Sequence, residues 1–266
     1  MRLSGLRRQV RGVLPTRAVH AVLMLLHTRL RPFEPELAVV PRFLAPDKVA
    51  IDAGANLGLF AGVLARGSSR VIAFEPNPQC AAHLRSLRLR NCEVVEAALS
   101  NTAGRTLLRV PVGSGDEMHT FGSIEVANDL RAAGAVSVMT HDVERTTLDI
   151  ALAARLAAGE PVGFVKIDVE GHEMAVLEGA GDVIARNHPV LLIEVEFRHS
   201  PQVDEVFAFL HARGYGASAL VRRNGLEPID ATRLRDLQSA ERLERKMADP
   251  RDRSYIHNVF FLPEGV

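Results

Sequence analysis

Two stretches of this chain carry side chains whose types and spacing could do chemistry. The first, Asp52-Ala53-Gly54-Ala55-Asn56-Leu57-Gly58, sets a carboxylate directly before a run of small residues. The second, Lys166-Ile167-Asp168-Val169-Glu170-Gly171-His172-Glu173, alternates an amine and two carboxylates with apolar residues and closes on Gly-His-Glu. A glycine turn tolerates positive φ and lets a ligand come close to the backbone. A dinucleotide pyrophosphate favours Gly-x-Gly-x-x-Gly with no anion beside it, because the phosphates rest on the helix N-terminus. Asp52 would repel such a ligand and suits one that carries positive charge. The ammonium and sulfonium of S-adenosylmethionine have that character. The plainer alternative is a glycine turn with a solvated or capping Asp52.

The elements that must position these groups follow from the apolar pattern. Val49 to Ile51 reads as a buried strand and Leu59 to Ala65 as a helix start, so the turn sits where a doubly wound sheet binds its ligand. Arg70 to Phe74 is a second strand, ended by Glu75-Pro76-Asn77-Pro78. Glu75 stands where such folds place an acid on a ribose, and a carboxylate can accept from both the 2′ and 3′ hydroxyls. Pro78 to Arg90 is expected to be helical, and Cys92 to Val95 is a third strand. The small residues Ala97 and Ala98 beyond it would let an adenine ring lie against the backbone. Thr106 to Val110 is another strand candidate. Pro111 to His141 lacks a sustained period and reads as a substrate-facing loop, with His119 and Ser123 as candidate contacts.

Around the second stretch, Phe164 onward reads as a buried strand. Lys166 within it is costly unless paired, which predicts a carboxylate partner such as Glu194 or Asp168. His172 and Glu173 are either caps and surface groups or a means of bringing a base to the carboxyl end of the sheet. Arg145 to Leu148 is a strand or turn before a helix over Asp149 to Ala158. Met174 to Arg186 is helix interrupted at Gly179-Ala180-Gly181, and Pro189 to Val195 is a core strand carrying Glu194 and followed by Glu196. Asp204 to Arg213 is a helix, Gly214 to Val221 and Tyr255 to Leu262 are strands, and the charged Arg222 to Arg253 reads as a surface helix with loops.

Size and composition bound the rest. A chain of 266 residues, 47% hydrophobic, can bury one full core, which predicts a basic helical extension and linker over 1–45 and one domain over 46–266. Formal net charge is +0, so nothing global steers the chain toward nucleic acid. Cys80 and Cys92 form neither a disulfide framework nor a metal site, and fit a reducing, cytoplasmic compartment. Met1 to Arg31 is free of acids and Arg-rich around the apolar run Ala18 to Leu26, which is too short to span a bilayer. It reads as a helix lying on a membrane surface, docking a partner, or packed on the domain.

Taken together, the Val49 to Phe60 turn, Phe74-Glu75-Pro76-Asn77-Pro78, Ala98-Leu99-Ser100-Asn101, the Lys166 to Glu173 block and Asn258-Val259-Phe260-Phe261-Leu262-Pro263 resemble the FkbM family of methyltransferases. The resemblance implies an α/β class I fold, a doubly wound, mostly parallel, seven-stranded Rossmann-like sheet. It also implies S-adenosylmethionine as donor and O-methylation of a hydroxyl on a sugar, glycan or polyketide-type natural product. The donor contacts expected on this chain are Asp52, Gly54, Ala55, Asn56, Gly58, Glu75, Pro76, Ala98 and Asp168. An acceptor alcohol must lose a proton, and the candidate bases are His172, Asp168, Glu196 and His119. No metal is assigned, although Asp168, Glu170 and Glu194 or Glu196 would offer oxygen ligands suited to Mg²⁺ or Ca²⁺. Competing readings are an NAD-dependent dehydrogenase on a similar sheet and a non-catalytic nucleoside-binding protein.

Overall fold

The computed structural model describes residues 34–112, 122–124, 137–222, 225–249 and 252–266. The Arg-rich N-terminal run and His119 lie outside them. Five parallel strands form the centre of the main sheet: β1 (Val49–Ala53), β2 (Arg70–Phe74), β3 (Cys92–Val95), β7 (Val162–Ile167) and β8 (Val190–Glu194). Three further strands continue it: β9 (Tyr215–Arg222), β10 (Gly225–Pro228) and β11 (Asn258–Pro263), in the spatial order β10-β9-β11-β8-β7-β1-β2-β3. β11 runs antiparallel to both β8 and β9, and β10 pairs antiparallel with β9. The sheet thus has eight strands, not the seven expected. The extra one, β10, comes from the charged stretch read as surface helix and loops, where a four-residue edge strand leaves little apolar signal.

All five residues of β1 are buried, as a strand covered on both faces requires. Alternation along the strands then sorts the core into two layers. Val49, Ile51, Val165, Ile167, Leu191 and Ile193 face α3 (Leu148–Ala153), α4 (Glu173–Glu178), α5 (Gly181–Asn187), α6 (Val203–His211) and α7 (Ala231–Leu237). Ala50, Val71, Phe164, Leu192 and Phe260 face α1 (Leu59–Gly67), α2 (Pro78–Ser86) and the two 3₁₀ turns Pro35–Ala38 and Val40–Phe43. Burying a side chain such as Phe164 or Phe260 contributes about 1.5–3 kcal/mol. The 3₁₀ turns bring Leu37 and Val40 into this second layer, so residues just before the expected boundary at 45 belong to the core.

Local signals set the helix ends. The Asn77 side chain accepts from the Gln79 N–H, with Pro78 in the first turn of α2, and Thr147 and Asp230 cap α3 and α7 in the same way. α2 stops at Ser86, short of the expected Arg90, and α3 stops at Ala153 rather than Ala158. Leu234 and Leu237 of α7 are buried, whereas α8 (Ala240–Ala248) buries none of its residues.

A second sheet, ordered β4-β6-β5, joins β4 (Ala98–Leu99), β5 (Gly104–Val112) and β6 (Ser137–Thr146). Here the expectation of an irregular Pro111 to His141 is corrected at both ends, since β5 runs to Val112 and β6 begins at Ser137. The β6 segment is mostly exposed, so it shows no clean inward-outward alternation in sequence. No helix among the described residues is long and apolar enough to cross a membrane.

Candidate functional site

The β1–α1 turn is built from backbone. Gly54 and Gly58 have φ of 77° and 83°, and Asn56 has φ of 49°. The N–H groups of Gly54 and Ala55 both donate to the Phe74 carbonyl, and that of Gly58 donates to Ala55. Asn56 N–H donates to Glu75 Oε2 at 2.6 Å, and Asn77 N–H to Glu75 Oε1 at 2.8 Å. Glu75 therefore ties the turn to the end of β2 with both oxygens, each keeping a further lone pair. Burial raises its carboxyl to about 7 even against those two amides. A Cβ on Gly54 would lie 1.8 Å from the Asp168 carbonyl oxygen, and one on Gly58 would strike Leu84 and Leu87. At both glycines the missing Cβ makes room for the protein itself. Pro76 follows Glu75 directly, and Ala98 is buried in β4.

Register places Asp52 beside Lys166, on the sheet face that packs α1. Asp52 is fully buried, neither of its oxygens has a hydrogen-bond partner, and Lys166 Nζ lies 3.8 Å away. Burial pushes the Asp52 carboxyl up to about 6 despite that ammonium. Lys166 Nζ donates to Asp168 Oδ2 at 2.9 Å and sits 4.6 Å from the centre of the Phe60 ring. Burial opposes the Lys166 charge, but Asp168 and Asp52 outweigh it and hold the ammonium protonated. Burial likewise opposes the Asp168 anion, and Lys166 overcomes this to hold its carboxyl at about 2.

Beyond Asp168 the carboxyl ends of β7 and β8 gather acids from the β7–α4 loop and from the last residue of β8. Asp168, Glu170 and Glu194 each present an oxygen, all within 4.8 Å of one another. Oxygens this close suit a hard cation or shared protons. Lys166 already answers Asp168, while burial and the neighbouring carboxylates push Glu170 and Glu194 well above the ordinary range. Glu196 pairs with the Arg198 guanidinium and accepts from Tyr255 Oη at 3.1 Å. His199 Nδ1 is 3.2 Å from Glu170 Oε2 and 4.0 Å from Glu196 Oε2. On the far side, His257 Nε2 lies 3.6 Å from Glu34 and 4.0 Å from Glu194, and its Nδ1 is 2.7 Å from Lys246 of α8. The first described residue, Glu34, also accepts from Asn258 at 3.0 Å, so it borders this end of the sheet.

A family model described as the methyltransferase FkbM domain matches residues 52–216, from the orphaned Asp52 to the start of β9. The chain belongs to this family. It is similar to methyltransferase sdnD of Sordaria araneosa, 32% identical over 158 residues that cover 50% of this chain and 60% of that one. The chain thus matches less than two thirds of that relative's length. Among solved structures it is similar to the methyltransferase FkbM of Methylobacillus flagellatus KT, with TM-score 0.47 and 14% identity over 82% of this chain and 44% of the other. It is also similar to SMU.1697c of Streptococcus mutans in complex with SAH, with TM-score 0.45 and 12% identity over 88% and 98% of the two chains.

Within this FkbM domain, the fold brings Asp52, Gly54, Ala55, Asn56, Gly58 and Glu75 together at one turn and sets Asp168 against it. His172 Nε2 lies 2.9 Å from Ser100 Oγ. Glu196 is engaged by Arg198 and Tyr255. Ser123, named as a substrate contact, is buried and donates to the Glu170 carbonyl at 2.8 Å, fastening the insertion to the β7–α4 loop. Residues of this end not named from sequence include His199, His257 and Gln238. The Gln238 amide accepts from Phe197 N–H and donates to the carbonyls of Val195 and Ile256, so one side chain aligns the segments carrying Glu196 and His257. His199 follows Glu196 by three residues at a strand end, a spacing that could have flagged it. Gln238 lies in a charged stretch and gave no such sign.

Proposed function

We propose that this FkbM-family chain is an S-adenosylmethionine-dependent methyltransferase that methylates a hydroxyl of a sugar, glycan or polyketide-type natural product. One observation carries the donor reading: the β1–α1 turn presents carboxylates and keeps its N–H groups of Gly54, Ala55, Asn56 and Gly58 occupied within the protein. A pyrophosphate needs such donors free, which weighs against the dehydrogenase alternative. The orphaned Asp52 carboxylate and the remaining lone pairs of Glu75 fit a cationic nucleoside. Glu75 would hold the ribose hydroxyls, Asp52 and Asp168 would favour the positive end, and the segment around Ala98 would back the adenine. When bound, the donor supplies an electrophilic methyl group on a sulfonium. The chain's own contribution is to hold an acceptor oxygen in line and exclude water, an effect that supplies about 7–11 kcal/mol at near-attack geometry.

Isothermal titration with S-adenosylhomocysteine tests the donor site, with NAD in parallel and with Glu75→Ala and Glu75→Gln as controls. Saturable binding of the former, none of the latter, and weakening in both variants is the expected result. A preference for NAD would overturn the reading. Incubating the wild type with labelled donor and panels of monosaccharides, glycans and hydroxylated polyketides then identifies the acceptor by label transfer.

A further inference from the structure

The bases named from sequence are engaged elsewhere in the fold or lie outside the described residues. Lys166 holds Asp168 ionised at about 2, too weak a base for an alcohol. Glu196 is paired with Arg198 and Tyr255, and His172 with Ser100. On the methyl-transfer reading, the reaction still needs a proton acceptor at the carboxyl ends of β7 and β8.

We propose that His199 is that general base, with Glu170 as its positioning residue. The imidazole sits on the loop after β8, about 13% exposed, with Nδ1 turned to Glu170. When Nδ1–H donates to a carboxyl oxygen, the lone pair is left on Nε2, and nothing among the described residues bonds that atom. Glu170 also belongs to the trio with Asp168 and Glu194, whose oxygens lie within 4.8 Å of one another. Gly171 fixes the approach of the two loops, since a Cβ there would fall 2.7 Å from the His199 carbonyl oxygen. The groups facing the imidazole are Glu170, Glu196, Arg198, Asp168 and His257. Burial is the largest influence and lowers its affinity for a proton, which favours the neutral ring. In the transfer the acceptor O–H bond breaks and its proton passes to Nε2. The oxygen pair forms the new bond to the methyl carbon as the carbon–sulfur pair leaves on sulfur, giving a neutral thioether. Glu170 and Glu196 then face the imidazolium.

The test is the histidine tautomer in the full ¹⁵N-labelled chain, read by long-range nitrogen–proton correlation and assigned with His199→Gln. The expected state at pH 7 is Nδ1–H with an unprotonated Nε2, shifting toward the Nε2–H form in Glu170→Ala. An Nε2–H ring in the wild type, or no shift in Glu170→Ala, overturns the proposal. S-adenosylhomocysteine titrated into each protein separates the two readings. Its binding with the wrong tautomer removes His199 alone, whereas no binding to wild type removes methyl transfer. With the acceptor from the label screen, His199→Gln should lose about 10²- to 10⁴-fold in kcat with donor affinity unchanged.

Discussion

The two ends of this site are made differently. At the β1–α1 turn, Glu75 is answered by two backbone amides, those of Asn56 on the turn and Asn77 at the end of its own strand, and the glycines are fixed by close packing on the Asp168 carbonyl and on Leu84 and Leu87 of α2. At the ends of β7 and β8, the carboxylates are answered by the side chains of Lys166, Arg198 and Tyr255, and His257 by those of Lys246 and the edge residue Glu34, five separate segments in all. A backbone-built site depends on chain geometry and changes little when side chains vary. A side-chain-built site can be retuned one residue at a time.

Lys166 joins the two ends, and removing its charge should break both. Lys166→Met leaves Asp52 and Asp168 without their ammonium, and breaking a buried pair from one side costs about 3–5 kcal/mol. Urea unfolding should show a loss of that size, largely recovered in Lys166→Met/Asp168→Asn. No recovery would mean that packing against Phe60, not charge, is what Lys166 supplies.

Gln238→Ala should sharpen the contrast. Loss of three hydrogen bonds to backbone predicts about 1.5–4 kcal/mol of destabilisation. Affinity for S-adenosylhomocysteine should stay near wild type while the acceptor KM rises. Equal loss of both would mean that the two ends are a single structural unit.

The smallest effect concerns Glu36, which is buried with Oε2 unpartnered and whose carboxyl burial raises to about 7. Its unfolded value lies near 4.5, so the folded state binds more protons and stability falls as pH rises from about 4.5 to 7. Glu36→Gln should be close to neutral at pH 4 and stabilising by about 1–3 kcal/mol at pH 8, read from the unfolding midpoint at each pH. A stabilisation independent of pH would assign the gain to something other than the buried charge.

This asymmetry also governs what the sequence made legible. The strand–turn–helix around Asp52, the acid at Glu75 and the alternating Lys166 to Glu170 block announce themselves because their partners are a few residues away or in the adjacent strand. Gln238 and His257 act through contacts between segments far apart in sequence, where neither period nor motif points. β10 and β6 were missed for a related reason, since an edge strand and an exposed ribbon lack the buried face that makes alternation visible. Lys166 could be expected to need a carboxylate, but only the register showed Asp52 beside it.

Gly54 presses on the Asp168 carbonyl, Gly171 on that of His199, and Gly179 on that of Ser100. In each case a loop meets the next one backbone to backbone, with no side chain between them. Such joints admit no gradual substitution, because the first methyl group added to any of them forces two loops apart. Divergence among descendants of this chain is therefore channelled: the rim keeps its course, and novelty must enter through side chains set upon it.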